Sequence, residues 1–502
     1  MAETAFDRLH RHFFDIIDLN GVGYLLKWDQ ATYMPFGGAV ARGRQLGLVK
    51  TLAHEKLSSA ETGKLLSAAE KESTDVPPDS FKASYLRIAR RDFERATKLP
   101  SNFARRFSEH TAASYQAWTQ ARAADDFKSV EGILETTLEL SRKRAALQGP
   151  TEHLADPLIA EHDYGMTVAQ LRPLFGELRE ALVPLLHNLS KQERPDDSFL
   201  RRHYPLQAQF AFASERVAEF GYDFSRGRVD PTHHPFAIEF SLDDVRITTR
   251  GQEGYLPEAL FCTFHESGHG MYHQGLEARL EGTPLADGSS AGVHESQSRL
   301  WENIVGRSQG FWHYALPKLK QVFPEQLSGI DLETFYRAIN IVAPSAIRTQ
   351  ADEVSYNLHV IIRFELELEL LEGTLEVAQL PTAWNAKYSE LLGVEVIGDK
   401  DGVLQDVHWF SGPIGGAFQG YTLGNILSAQ LYETACHALP EIPEQLSAGE
   451  FGTLYTWTRE NIHRHGRRYD PVQLIERVCG QKLETAPYLR YLERKYSDLY
   501  GI

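Results

Sequence analysis

The run TFHESGHGMYHQG at 263–275 constrains this chain more than any other feature. Leu260, Phe261, Phe264 and Met271 recur at helical spacing, Pro257 suits a first turn and Gly275 a stop, which predicts a helix over 257–275. His265 and His269 stand four apart on it, stacked on one face, so two imidazoles can reach one ion. Glu266 beside them is placed to move a proton. A random chain of this length shows H-E-x-x-H about once in twenty. The pattern alone therefore also admits two surface histidines on a helix.

A third ligand must come from elsewhere. His273 continues the stripe, but it lies eight residues beyond His265, about 12 Å along the axis. Ligands sit about 2 Å from zinc, so His273 cannot share an ion with both others. The longer H-E-x-x-H-x-x-G-x-x-H pattern also fails, because Tyr272 and Gly275 stand where its Gly and last His belong. The stretch EGTPLADGSSAG (281–292) reads as a loop and VHESQSRLWEN (293–303) as the start of a helix. Glu295, in that helix's first turn, is the expected third ligand; Glu302, seven residues on, is the alternative.

Elsewhere the chain is patterned for helices. Phe6, Leu9, Phe13, Ile16 and Ile17 form one apolar stripe, Phe127, Val130, Ile133, Leu134 and Leu138 a second, and Leu171, Leu174, Phe175, Leu178 and Leu182 a third. FELELELLEG (364–373) alternates like a strand, but it ends a Pro- and Gly-free run from Ser345 to Glu372, too long for one, and is read as helix. FAIEFSLDDVRITTR (236–250) carries two alternating runs around Leu-Asp-Asp, a β-hairpin pattern. The expected fold is mostly α, one domain over 1–502. It has a helical part at 1–220, a small β element at 234–250, metal-site helices at 257–310 and a helical part at 311–502.

Composition excludes other classes. Hydrophobic residues are 42% and charged residues 24%, ordinary for a globular chain. The net charge of −16 argues against nucleic acid or anionic membrane as partner. Cys262, Cys436 and Cys479 are too few for a disulfide framework or thiolate cage. No run of about 18 apolar residues occurs, and MAETAFDRLHRHFF lacks a secretory pattern, so a cytoplasmic location is expected.

Further motifs stand in order along the chain: WDQATYMPFGGAVARGRQL (28–46), HPF (234–236), DVRIT (244–248), HESQSRLWENIVGRS (294–308), IRTQADE (347–353), QDVHW (405–409), GYTLG (420–424), ENIHRHGRRY (460–469) and YLERKY (491–496). With HESGH (265–269) they make the chain resemble the carboxypeptidase Taq family of zinc metallocarboxypeptidases. The resemblance implies an almost wholly helical fold like the neurolysin and angiotensin-converting-enzyme peptidases, a deep central groove and a homodimer. It implies removal of single residues from peptide C-termini, with His265, His269 and Glu295 as ligands and Glu266 as catalytic acid and base. ADPLIAEHDYGMT (155–167) departs from the family's usual Tyr-Glu-Pro-Gly run.

A carboxypeptidase must clamp a terminal carboxylate. The candidate is Arg348, placed on a helix after Pro344; the bland reading pairs it with Asp352 one turn on. GVLQDVHWFSGPIGGAFQGYTLG (402–424), with six glycines, is either a backbone folded close to a ligand or a mobile surface loop. Within it His408 and Tyr421 are expected to line the groove, as is His234 at the start of the hairpin. The hairpin edge can offer backbone to an extended peptide, and Asp244 and Arg246 are expected to pair with each other. Two His and one Glu suit zinc and also accept cobalt or manganese. The expected substrates are peptides with a free C-terminal carboxylate. An oligo-endopeptidase using the same three ligands is the alternative, and a non-catalytic scaffold would have no use for Glu266.

Overall fold

The computed structural model of the chain describes residues 3–502. Each apolar stripe becomes a buried helix face. The helix Ala5–Thr32 starts in a reciprocal cap, where Asp7 N–H donates to the Thr4 hydroxyl at 3.1 Å and Thr4 N–H to the Asp7 carboxylate at 3.0 Å. Its Leu9, Phe13 and Ile16 pack with Leu66, Tyr85 and Ile88 in an N-terminal core. The second and third stripes, on Phe127–Val130 with Glu131–Gln148 and on Val168–Leu189, enter the main core, which draws on residues from Ala121 to Leu499.

The hairpin forms as expected and gains a third strand. β1 (Val229–Pro231), β2 (Ala237–Ser241) and β3 (Asp244–Thr249) make one sheet in the order β1-β3-β2. β2 and β3 are antiparallel and β1 runs parallel to β3, with Val229 opposite Ile247. Three residues are too few to show alternation, so β1 was not legible beforehand. Asp244 and Arg246 pair through two 2.8 Å hydrogen bonds. The edge of β2 is backed by the first helix: a Cβ at Gly21 would sit 3.2 Å from the Phe240 carbonyl oxygen. The buried side of the sheet lies on the helix Leu256–Gln274, where Gly270 leaves room for Tyr222 and Ile247.

One expected helix is shorter. The helical run read from Ser345 covers only Tyr356–Glu372, and residues 341–355 are irregular apart from the single turn Arg348–Gln350. Asp352 causes the break. Its carboxylate accepts from Ala343 N (3.1 Å), Val354 N (3.0 Å), Ser355 N (2.9 Å) and Ser355 Oγ (2.7 Å), satisfying backbone donors outside a helix. FELELEL is helical, and its alternation misleads because this helix is buried nearly all round, from Tyr356 to Phe364 without an exposed residue. Among the described residues no helix is long and apolar enough to cross a membrane, and the three cysteines are free.

Candidate metal centre

Three helices meet at the site. Leu256–Gln274 has Pro257 in its first turn and ends at Gly275. Ala291–Arg299 is capped by the Ser290 hydroxyl, which accepts from Val293 N–H at 3.2 Å, and continues as a wider π turn over Leu300–Val305. Gln419–Ala438 packs on it, and its Gly424 makes the approach possible: a Cβ there would lie 2.4 Å from Glu295 Cγ. Gly424→Ala should therefore displace Glu295 and cost both metal affinity and roughly 1–3 kcal/mol of stability. Thermal denaturation with metal analysis checks this; an unchanged midpoint and unchanged metal content would show the contact to be slack.

His265 and His269 stack with ring centroids 5.0 Å apart, and their Nε2 atoms lie 3.8 and 3.5 Å from the same Glu295 oxygen. One donor atom from each of the three lies within 4.8 Å of the other two. Two imidazole nitrogens and a carboxylate oxygen are the donor set of a borderline divalent cation, with room left for substrate or water. Burial opposes the charge on Glu295, but Arg299, at 2.7 Å, then His265 and His269, hold its carboxyl well below the usual range.

The other ring nitrogens are also engaged. With Nε2 given to an ion, each Nδ1 carries the proton: His265 donates to Glu302 at 2.7 Å and His269 to His294 Nδ1 at 2.6 Å. Glu302 thus grips the far side of the ring whose Nε2 faces Glu295. Burial opposes its ionisation too, yet Arg299 and the His265 hydrogen bond hold its carboxyl down to about 2. Glu266 is 6% exposed, and burial raises its carboxyl above the ordinary value against the pull of His265 and His269.

Arg348 opens the isolated single turn Arg348–Gln350 instead of lying on a long helix after Pro344, and it pairs with Asp406, not Asp352, correcting both readings. Its Nε donates to Asp406 at 2.7 Å, its Nη1 to the Tyr356 hydroxyl at 3.2 Å, and its backbone N–H to Gln405 at 2.8 Å. Asp406 also receives the ring Nδ1–H and backbone N–H of His408. Tyr421 opens the Gln419–Ala438 helix, with the Arg348 guanidinium 5.4 Å from its ring. Its hydroxyl titrates well above the ordinary value, first through burial and then through Tyr356. His234 is exposed in the bend before β2; enclosure by its neighbours, then the charges of His408, Arg250 and Arg348, hold its imidazole below the usual value. His233 is exposed.

Tyr356 joins this cluster to the histidine pair. Arg348 binds its hydroxyl, while Arg299, which grips Glu295, lies 4.5 Å from its ring centre. Arg299, four residues after Glu295, could have been suspected from spacing alone; Tyr356 and Asp406 carried no local signal. Nor is 402–424 a mobile surface loop: Val403, Leu404, Trp409, Phe410 and Ile414 are buried. A Cβ at Gly416 would fall 2.3 Å from the Leu158 carbonyl group, and its φ of +93° suits glycine. The departing segment 155–167 braces the site. Its buried Asp163 accepts from Gly292 N–H at 2.8 Å and Gln419 Nε2 at 3.0 Å, tying both helices together.

The chain matches the carboxypeptidase Taq (M32) metallopeptidase family over residues 8–496. It is 41% identical to thermostable carboxypeptidase 1 of Thermus thermophilus, covering 99% of each chain, and 36% identical to carboxypeptidase 1 of Bacillus subtilis, covering 98% of each. It superposes on the crystal structure of the M32 carboxypeptidase from Deinococcus radiodurans with a TM-score of 0.97 at 48% identity, over 99% of this chain and 100% of that one. With the helical fold and the histidine–carboxylate centre described above, these matches establish that the chain belongs to the carboxypeptidase Taq family and is a metallocarboxypeptidase.

Proposed function

We propose that His265, His269 and Glu295 hold the divalent ion, that Glu266 is the catalytic acid and base, and that Arg348 with Tyr421 receives the substrate's terminal carboxylate. The observation that carries this reading is the convergence of two Nε2 atoms and one Glu295 oxygen directly beside a buried carboxyl of raised pKa. An ion bound there supplies Lewis acidity to the scissile carbonyl and lowers the pKa of water. Glu266 takes a proton from the attacking water and delivers it to the departing amine. Glu302 and His294 keep the ligand rings in the tautomer that presents Nε2. Arg348 spends Nε and Nη1 on Asp406 and Tyr356, so a carboxylate would be met by Nη2 and the Tyr421 hydroxyl. His408 and His234 supply further donors on the same wall. An oligo-endopeptidase is not favoured, since it has no use for such a clamp.

Zinc as the ion, peptides as substrates, one domain over 1–502, a homodimer and a cytoplasmic location belong to the same proposal. The two-nitrogen, one-oxygen donor set supports zinc, the main core running from Ala121 to Leu499 supports one domain, and free cysteines suit a reducing compartment. A time course on an unlabelled peptide, read by mass spectrometry with and without chelator, tests the reading. Loss of one C-terminal residue at a time, abolished by chelator, is expected; internal cuts would overturn it.

The ligand assignment makes a second prediction. Glu295→Ala should strip the protein of metal, leaving two imidazoles. Glu302→Gln should weaken metal binding about 10- to 100-fold and leave the site able to load at high metal. Metal analysis after dialysis against chelator checks the ranking, and the reverse order would make Glu302 the ligand.

A further inference from the structure

His273, excluded from the first ion by its distance along the helix, is not idle. Its Nε2 lies 2.7 Å from His294 Nε2 and 3.3 Å from a Glu239 oxygen on β2. A carboxylate oxygen of Asp287, in the loop before the Ala291–Arg299 helix, completes a second group of donor atoms lying within 4.8 Å of one another. The His273 side chain is 4% exposed, and its Nδ1 finds no hydrogen-bond partner among the described residues. Asp287 is exposed, so the group opens to solvent on one side.

We propose that His273, His294 and Asp287, with Glu239 beside them, form a second divalent-cation site, filled at excess metal and antagonistic to the first. Two imidazoles and two carboxylates match the ligand chemistry of zinc, and ligands about 2 Å from an ion stand about 3–4 Å from one another. Local charge favours a cation. The Arg467 guanidinium, which also feels Asp287, is bonded to Asp92 at 2.8 and 2.9 Å, and Glu239 is drawn first by His273 and then by Lys27. Burial pushes the Glu239 carboxyl up, and Asp287 adds to the push against the pull of His273. The Tyr24 hydroxyl beside them is raised to about 12 by burial and by these two carboxylates.

The antagonism follows from His294. While His269 Nδ1–H donates to His294 Nδ1, the single proton of the neutral His294 ring sits on Nε2. An ion at the second site takes the Nε2 lone pair, and the ring proton moves to Nδ1. Two N–H groups then face each other across 2.6 Å, and His269 loses the acceptor that orients it. The second ion therefore binds more weakly than the first and slows turnover.

The inference rests on the ligand assignment above, and counting ions separates the two. Zinc alone is titrated into the full-length protein by equilibrium dialysis with metal analysis, and free-acid peptide hydrolysis is followed in parallel. Wild type should take one ion tightly and a second at excess, with activity falling as the second binds. His273→Ala and Asp287→Asn should each stop at one ion, keep activity at limiting zinc within about twofold, and resist excess zinc at least tenfold better. Wild type saturating at one ion, or both variants still binding two, overturns the second site. A His265→Ala chain that still binds two ions overturns the assignment of the first.

Discussion

Glu266→Gln is expected to retain its metal and lose nearly all turnover, with kcat reduced by on the order of 10²–10⁴-fold. The amide is the same size as the carboxyl and changes none of His265, His269 and Glu295, so the donor set survives. What disappears is a base. Glu266 is buried beside the two imidazoles, where a carboxylate can take a proton and give it back within one cycle. An amide can do neither, and with the position 6% exposed bulk water cannot readily stand in. Metal content and kcat on one free-acid peptide, measured on the same preparation, decide the matter. Full metal with near-normal kcat would remove Glu266 from the mechanism, whereas loss of metal would mean that it helps to hold the ion.

Arg348→Ala should abolish the preference for a free C-terminus. Stranding a carboxylate that expects a charge-assisted hydrogen bond costs roughly 2–5 kcal/mol, about 30- to 5000-fold in kcat/KM. Free-acid peptides should lose that factor, and amidated peptides, already poor substrates, should lose little. The gap between the two is therefore the diagnostic quantity, since a general loss of fold would lower both alike. The alanine variant also deprives Asp406 of its 2.7 Å partner, so Arg348→Lys is the companion. It keeps a charge near Asp406 but lacks the planar fork, and should fall between wild type and alanine. A variant that keeps its full discrimination against amidated peptides would move the clamp elsewhere on this wall, with His408 and Tyr421 next to be replaced.

The parts of this site that lay within one helical turn were legible from the residues themselves. His265, Glu266 and His269 share one face of a helix whose start at Pro257 and end at Gly275 follow from local backbone preference. Glu295 could be placed near the start of the next helix for the same reason. Where side chains from distant segments compete for one partner, the local pattern failed. Asp352, one turn from Arg348 in the chain, turned out to hold backbone donors in the irregular stretch before a helix, and Asp406, 58 residues away, took the guanidinium. The helix expected from Ser345 broke because four donors found the Asp352 carboxylate, a tertiary arrangement that includes Ala343.

Periodicity thus determined which side chains share a face: the apolar stripes, the hairpin and the pair of imidazoles follow from spacings of 3.6 and 2 residues, which packing does not alter. Tertiary structure decided which ring nitrogen each group meets. Glu295 and Glu302 are both acids within reach of His265, and the fold sets Glu295 on the Nε2 side and Glu302, in the widened turn over Leu300–Val305, against Nδ1. His273 was excluded from the first ion by its distance along the axis, yet only the packing of β2, the loop at Asp287 and the Ala291–Arg299 helix against it surrounds it with a second set of donors. Spacing along a chain encodes direction within one element; the identity of a partner depends on how elements cross, and here glycines such as Gly424 let the backbones approach closely enough for those side chains to meet.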